Sequence, residues 1–172
     1  MSIIPTGIDL PEPKEESRNS ALQRKSILSA VRTIAMVGAS ADTSRPSYFV
    51  STYLLSSTNY EVWFVNPKGG EILGHPVYKS LDDLPGVPDL VDVFRKPADC
   101  PEVATAAVAL GASALWLQLG VVSEDAAKIA RAGGLQVVMD RCIKIEHARF
   151  AGGLHLAGFN TGVISSKRGA RL

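Results

Sequence analysis

The stretch Thr33-Ile-Ala-Met-Val-Gly-Ala-Ser-Ala-Asp-Thr-Ser-Arg-Pro46 decides the fold. Its first five residues form a short apolar run stopped by Gly38, the pattern of a buried strand. The turn that follows leads to Pro46, a favoured first residue of a helix. Beyond it Tyr48, Phe49, Tyr53 and Leu54 recur at helical spacing. A buried strand that passes through a turn into a helix is the opening unit of an alternating α/β chain.

The same unit recurs on the C-terminal side. Val62-Trp-Phe-Val65 is a second strand, closed by Asn66-Pro67-Lys68-Gly69-Gly70. After a short segment around Val77 and Tyr78 and a turn-rich stretch from Leu81 to Pro88, Asp89 to Phe94 reads as a third strand. Asp99 with Glu102 resembles a capping box opening a helix, with Val103, Ala104, Ala107 and Val108 as its core face and Gly111 at its end. Ala114 to Leu119 is a fourth strand. Ser123 caps a helix opened by Glu124 and Asp125 and closed by Gly133-Gly134, and Leu135 to Met139 is a fifth strand. On the N-terminal side Ser20 caps a helix reaching about Arg32, with Leu22, Ile27, Leu28 and Val31 as apolar positions. The strands are apolar runs interrupted by isolated polar residues such as Asp92 and Gln118, as expected where both faces are covered. The pattern predicts an α/β, Rossmann-like doubly wound parallel sheet of about five strands with helices on both faces.

The chain has 172 residues, 20% charged and 46% hydrophobic, which suits one domain over residues 20–150. A Pro- and acid-rich arm, 1–19, precedes it, and a Gly-rich basic tail, 151–172, follows. Net charge is +1 but uneven. From Arg141 onward six basic residues oppose one acid, giving +5, whereas residues 1–140 carry 12 basic and 16 acidic, giving −4. An acidic body is not a nucleic-acid footprint. Two cysteines, Cys100 and Cys142, are too few for a disulfide scaffold and suit a reducing, cytoplasmic compartment. The first residues lack the basic and apolar regions of a signal peptide. The uncharged run between Glu102 and Glu124 is broken by Gly111, Ser113, Gln118 and Gly120, and reads as a helix end plus a strand, not a membrane span.

In an open parallel sheet, ligands bind outside the carboxyl ends of the strands. That rule selects Gly38 to Arg45, Asn66 to Gly70, Phe94 to Pro97, Gln118 to Val121 and Asp140 to Cys142. The first loop enters a helix whose free N–H groups favour a phosphate. It is neither the three-glycine dinucleotide fingerprint nor the P-loop, and Gly38 alone reads equally as a plain strand-to-helix turn. After the second strand an NAD site would place an acid for the ribose hydroxyl. Here stands Asn66-Pro67-Lys68, with no acid before Glu71. Lys68 suits an adenosine bearing an additional phosphate, as in NADP or coenzyme A, although a solvated turn lysine looks the same. Phe94, at a strand end, is placed to stack on an adenine.

Other chemistry is poorly supported. His147 and His155 are eight apart in a Gly-rich segment, without metal-ligand spacing. No Gly-x-Ser-x-Gly elbow occurs. Asp140 and Glu146 are read as solvated or ion-paired, since one follows a strand and the other falls in the tail. Cys100, near Arg95 and Lys96 at a helix start, is a candidate thiolate, although buried structural cysteines are commoner. Cys142 edges the expected cleft.

Seven segments in order carry a resemblance: Val37-Gly-Ala-Ser40, Arg45-Pro46-Ser47, Val65-Asn-Pro-Lys68, Gly74-His-Pro-Val-Tyr78, Val91-Asp-Val-Phe-Arg95, Leu115-Trp-Leu-Gln-Leu-Gly120 and Val138-Met-Asp-Arg-Cys142. From about Ala30 to Arg149 the chain resembles the small stand-alone CoA-binding domain family, itself similar to the nucleotide-binding domain of the succinyl-CoA synthetase alpha subunit. The resemblance implies that Gly38, Ala39, Ser40, Arg45 and Ser47 hold phosphates and that Asn66, Pro67 and Lys68 lie near the nucleotide. It further implies that Phe94, Arg95 and Pro97, with Gln118, Leu119 and Gly120, line the pantetheine side. The implied ligand is coenzyme A or an acyl-CoA, bound without catalysis. The synthetase's second domain and its phosphorylated histidine have no counterpart at His75, His147 or His155, so ligase activity is not carried over. The family also suggests a homodimer. An NADP-dependent reductase and an interaction module with a vestigial cleft remain the alternatives. Against the reductase, no Tyr-x-x-x-Lys pair is present.

Overall fold

The computed structural model describes residues 20–151. The expected N-terminal arm, and all but the first residue of the expected tail, lie outside that range. In chain order the elements are α1 (Ala21–Ala30), β1 (Thr33–Val37), α2 (Pro46–Ser57), β2 (Glu61–Val65), β3 (Glu71–Ile72), β4 (His75–Tyr78) and β5 (Leu90–Val93). Then come α3 (Cys100–Leu110), β6 (Ala114–Leu117), α4 (Glu124–Ala132), β7 (Gln136–Val138) and α5 (Ile143–Ala151). They form one seven-stranded sheet in the order β3-β4-β2-β1-β5-β6-β7. All neighbours are parallel except β3 and β4.

The α/β class and the parallel core agree with the sequence; the strand count does not. The two additional strands form a short hairpin, β3–β4, turning through Leu73 and Gly74, both at positive φ. Two residues in β3 are too few to show a period, and β4 carries Pro76, which demotes a strand to a margin. The helix α5 was also missed, because its residues look like part of the polar tail.

Strand pleating sorts the interior into two layers. Ala35, Val37, Val91, Val93, Leu115 and Leu117 join Cys100, Ala104, Ala107, Ala126, Ala127 and Ala130 of α3 and α4. The alanines let these helices lie close to the sheet and to each other. A Cβ on Gly133 would fall 2.4 Å from Val108 Cγ1, so that close approach requires a glycine. On the other face Ile34, Met36, Phe64, Leu90, Trp116 and Val138 pack with Ile27, Leu28, Val50, Leu54 and Ile143 of α1, α2 and α5.

Helix ends repay inspection. Ser20 Oγ accepts from Gln23 N and Ser123 Oγ accepts from Ala126 N, so both expected caps form. Gly111 closes α3 at φ 84°. The Asp99–Glu102 capping box does not form. Pro97–Asp99 is a turn of 3-10 helix, and Asp99 has helical backbone angles with no cap hydrogen bond. Its carboxylate instead accepts from Arg95 at 3.2 Å. A capping box does occur at Ser80 and Asp83. Leu22, expected inside, is 75% exposed. The helix turns Arg24 inward in its place, where Nε lies 2.7 Å from Glu146 Oε2 and both side chains are 2% exposed. Glu146, expected in a tail, thus belongs to the core, with Arg149 Nη1 3.7 Å from its other oxygen.

Candidate functional site

Strand order reverses at β1: the chain leaves it for β2 on one side and returns to β5 on the other. The crevice above that switch point is where an open α/β sheet accepts a ligand. A cavity of about 790 Å³ lies there, lined from the chain that follows β1, β2, β5, β6 and β7. Its size falls within the usual range for small-molecule sites, about 300–1,000 Å³.

The first loop is shaped by a contact, not by a motif. Gly38 N donates to Val65 O, and Phe94 N donates to Val37 O. A Cβ on Gly38, at φ 84°, would sit 2.4 Å from the Phe94 carbonyl oxygen. Only glycine lets the strand turn this close to its neighbour. The loop then folds on itself: Ser40 N donates to Ser47 Oγ, and Asp42 N to Ser40 Oγ. Hydrogen bonds from the Ser44 hydroxyl and amide hold the Asp42 carboxyl below its ordinary pKa. The helix that follows is left open. Arg45, the N-cap of α2, gives no cap hydrogen bond, whereas α1 and α4 are each closed by a serine. Uncapped N–H groups at a helix start attract an anion.

Asn66 fastens the second loop to the first. Its Nδ2 donates to Ala39 O at 2.9 Å, while its Oδ1 accepts from Lys68 N at 3.0 Å. This leaves Lys68 exposed at the cavity, with no ion pair among the described residues. Arg45, 3.8 Å from Asp42, and Arg95, 3.2 Å from Asp99, form ion pairs and line the cavity with Lys96, and among the described residues no Asp or Glu lines it. Four cations with no lining carboxylate make a site for a polyanion.

The far wall is different. Leu119, Val121 and Ile145 are apolar, and Cys142 stands between α5 and the sheet. Gly120 N donates to Asp140 Oδ1 at 2.7 Å, and Asp140 N to Val121 O, tying the loops after β6 and β7 together. Asp140 holds φ 54° in doing so. Trp116 Nε1 donates to Arg141 O at 2.7 Å, anchoring the same loop from below. Gln118 is only 5% exposed. Its Nε2 donates to Asp92 Oδ1 at 2.5 Å inside the sheet.

Of the fourteen residues expected at the site, twelve line this cavity: Gly38, Ser40, Arg45, Ser47, Asn66, Pro67, Lys68, Phe94, Arg95, Pro97, Gln118 and Leu119. Two do not. Ala39 is 1% exposed and belongs to the core beneath the loop, its carbonyl serving Asn66. Gly120 lies beyond the wall, its N–H taken by Asp140. Lys96 and Val121, inside the selected strand-end loops, also line it, and Val50 and Ile145 join the lining without having been singled out. Val50 and Ile145 sit on helices, whereas the strand-end rule selects only loops.

Of the two readings of Cys100, the structure agrees with the commoner, buried one. Cys100 is fully buried, its Sγ donating to Lys96 O, and burial followed by the Asp99 charge raises its pKa. These surroundings disfavour a thiolate. Cys142 is half-buried, and burial raises it too. His147 meets Tyr53 Oη at 2.9 Å, and burial lowers its pKa. No cluster of metal-ligating side chains occurs among the described residues, nor any helix long and apolar enough to cross a membrane.

Comparison with known proteins places this geometry. Residues 32–148 match the model of the CoA binding domain. YneT of Bacillus subtilis (strain 168) is 37% identical over 129 residues, 75% of this chain and 95% of that one. A solved structure of a protein from Pyrococcus horikoshii OT3 is 37% identical with a TM-score of 0.74, covering 77% of this chain and 93% of its own. The structure of cell-free ID.343 from Thermus thermophilus is 36% identical with a TM-score of 0.70, covering 76% and 98%. With the family model spanning most of the described fold and the whole cavity edge, the chain belongs to the CoA-binding domain family.

Proposed function

We propose that the protein binds coenzyme A or an acyl-CoA across the carboxyl edge of the sheet and performs no catalysis on it. The observation that carries this reading is a cavity whose described lining holds four cations and no carboxylate, opening on the uncapped start of α2. A diphosphate lies on the α2 N-terminus, and Lys68 with Arg45 meets the negative charge of the adenosine portion. The pantetheine arm runs along the sheet edge from β1 towards β6. Adjacent strands are about 4.8 Å apart, so the path from Lys68, after β2, to Leu119, after β6, crosses three spacings, about 14 Å. An extended ligand fits that span better than a compact one. Among the described residues Cys142 is the one thiol in the lining, and no carboxylate or histidine lines the cavity beside it.

Thermal unfolding with CoA, acetyl-CoA, dephospho-CoA, NAD and NADP tests the proposal. A ligand at about 100 times its dissociation constant adds about 2.7 kcal/mol, a midpoint shift of about 5–10 °C at this size. CoA should give that shift and NAD should not. A shift with NADP alone would favour a reductase, and none with any nucleotide would favour an interaction module. Lys68→Glu should lower the affinity for CoA about tenfold, about 1.4 kcal/mol, and that for dephospho-CoA by clearly less. Equal losses would remove Lys68 from its assigned role.

A further inference from the structure

Asp92 and Gln118 are the two polar interruptions of otherwise apolar strands. Asp92 lies opposite Met36 and Trp116 in the parallel register and is fully buried. Gln118, two residues past Trp116, projects from the same face of the sheet and reaches the cavity wall. A glutamine amide offers two donors on nitrogen and two lone pairs on oxygen. Left to rotate, it can present either end to a ligand. Here Nε2 is held by Asp92 Oδ1 at 2.5 Å, so the carbonyl end remains for the cavity.

We propose that Asp92 is a positioning residue that turns Gln118 into a hydrogen-bond acceptor for an amide N–H of the bound ligand. The inference rests on the CoA-binding reading and deepens it: pantetheine carries two secondary amides, the nucleotide portion none. A wall fixed as an acceptor rewards an amide and offers nothing to phosphate or carbonyl oxygens. The second oxygen of Asp92 has no hydrogen-bond partner among the described residues. Burial, opposed by the Gln118 hydrogen bond, raises the carboxyl to about 8.

The test compares the affinity for CoA with that for adenosine 3′,5′-diphosphate, which lacks the arm, in wild type, Asp92→Leu, Asp92→Asn and Gln118→Leu. Asp92→Leu should lower CoA affinity five- to tenfold and leave the diphosphate within twofold. Asp92→Asn retains an acceptor oxygen and should stay within threefold of wild type for both ligands. Gln118→Leu, at the cavity wall, should reproduce the selective loss even if Asp92→Leu does not fold, and the two changes together should cost no more than one. Equal loss of both ligands in Gln118→Leu, or unchanged CoA affinity, overturns the proposal. A wild-type protein that binds neither ligand overturns the CoA reading itself, which separates the two failures.

Discussion

The two faces of the sheet are built on opposite chemistry. Against α3 and α4 the layer is dry and small: seven buried alanines and a buried cysteine fill the space between helices and strands. Against α1, α2 and α5 the layer holds Arg24, Glu146, Arg149, Asp92, Ser47 and Ser51, all below 9% exposure. The first face is held by close packing, which is sensitive to volume. The second is held by pairing, which is sensitive to the loss of a partner. Gln118 and Ser47, which reach the cavity, both come from the second. The fold keeps its buried polar groups on the side that meets the ligand.

The sharpest way to break this contrast is to remove one partner of the buried ion pair. Arg24→Ala should destabilise by about 3–5 kcal/mol, because Glu146 is left as a buried charge with only the more distant Arg149; denaturant unfolding reads this directly. On the dry face the damaging change is added volume. Ala107→Leu should cost about 1–3 kcal/mol, and the same measurement should show no change in its pH dependence.

A third test uses pH. The Asp92 carboxyl sits at about 8 in the folded chain against an ordinary 3.8. Between those values the folded state holds a proton that the unfolded state has lost, so stability falls as pH rises through that window, by at most about 1.4 kcal/mol per unit. Asp92→Asn should flatten the slope, with its largest relative gain above pH 8. An unaltered slope would mean that Asp92 is ionised in the fold. The smallest effect belongs to the dry face again. Ser123→Ala removes the cap of α4 and should cost about 1 kcal/mol, seen as a modest drop in midpoint.

The same contrast explains what could be read from sequence. The α3 and α4 layer was legible because Ala104, Ala107, Gly111, Ser123 and the Gly133-Gly134 pair are local signals whose meaning does not depend on distant residues. The other layer was not. Arg24 and Glu146 are 122 positions apart, and a charged residue on a helix looks solvated until its partner is known. Leu22 was placed inside and Glu146 in a tail for that reason, and α5 went unread. The site was legible through strand ends, which fix where side chains emerge. Ala39 and Gly120 were overcounted because proximity in the chain does not say which way a residue faces. Asp92 and Gln118 were each noted as polar interruptions, but only the register of β5 and β6 pairs them.

The hairpin of β3 and β4 has a consequence for self-association. One margin of the sheet is a two-residue strand running against its neighbour, next to a proline, and the other is the three residues of β7. Such stubs offer too few free amides and carbonyls to recruit a foreign strand. Growth of the sheet across molecules is thereby discouraged at both ends, and a pair of copies would have to meet through helices or loops, leaving the parallel core of each copy as it is.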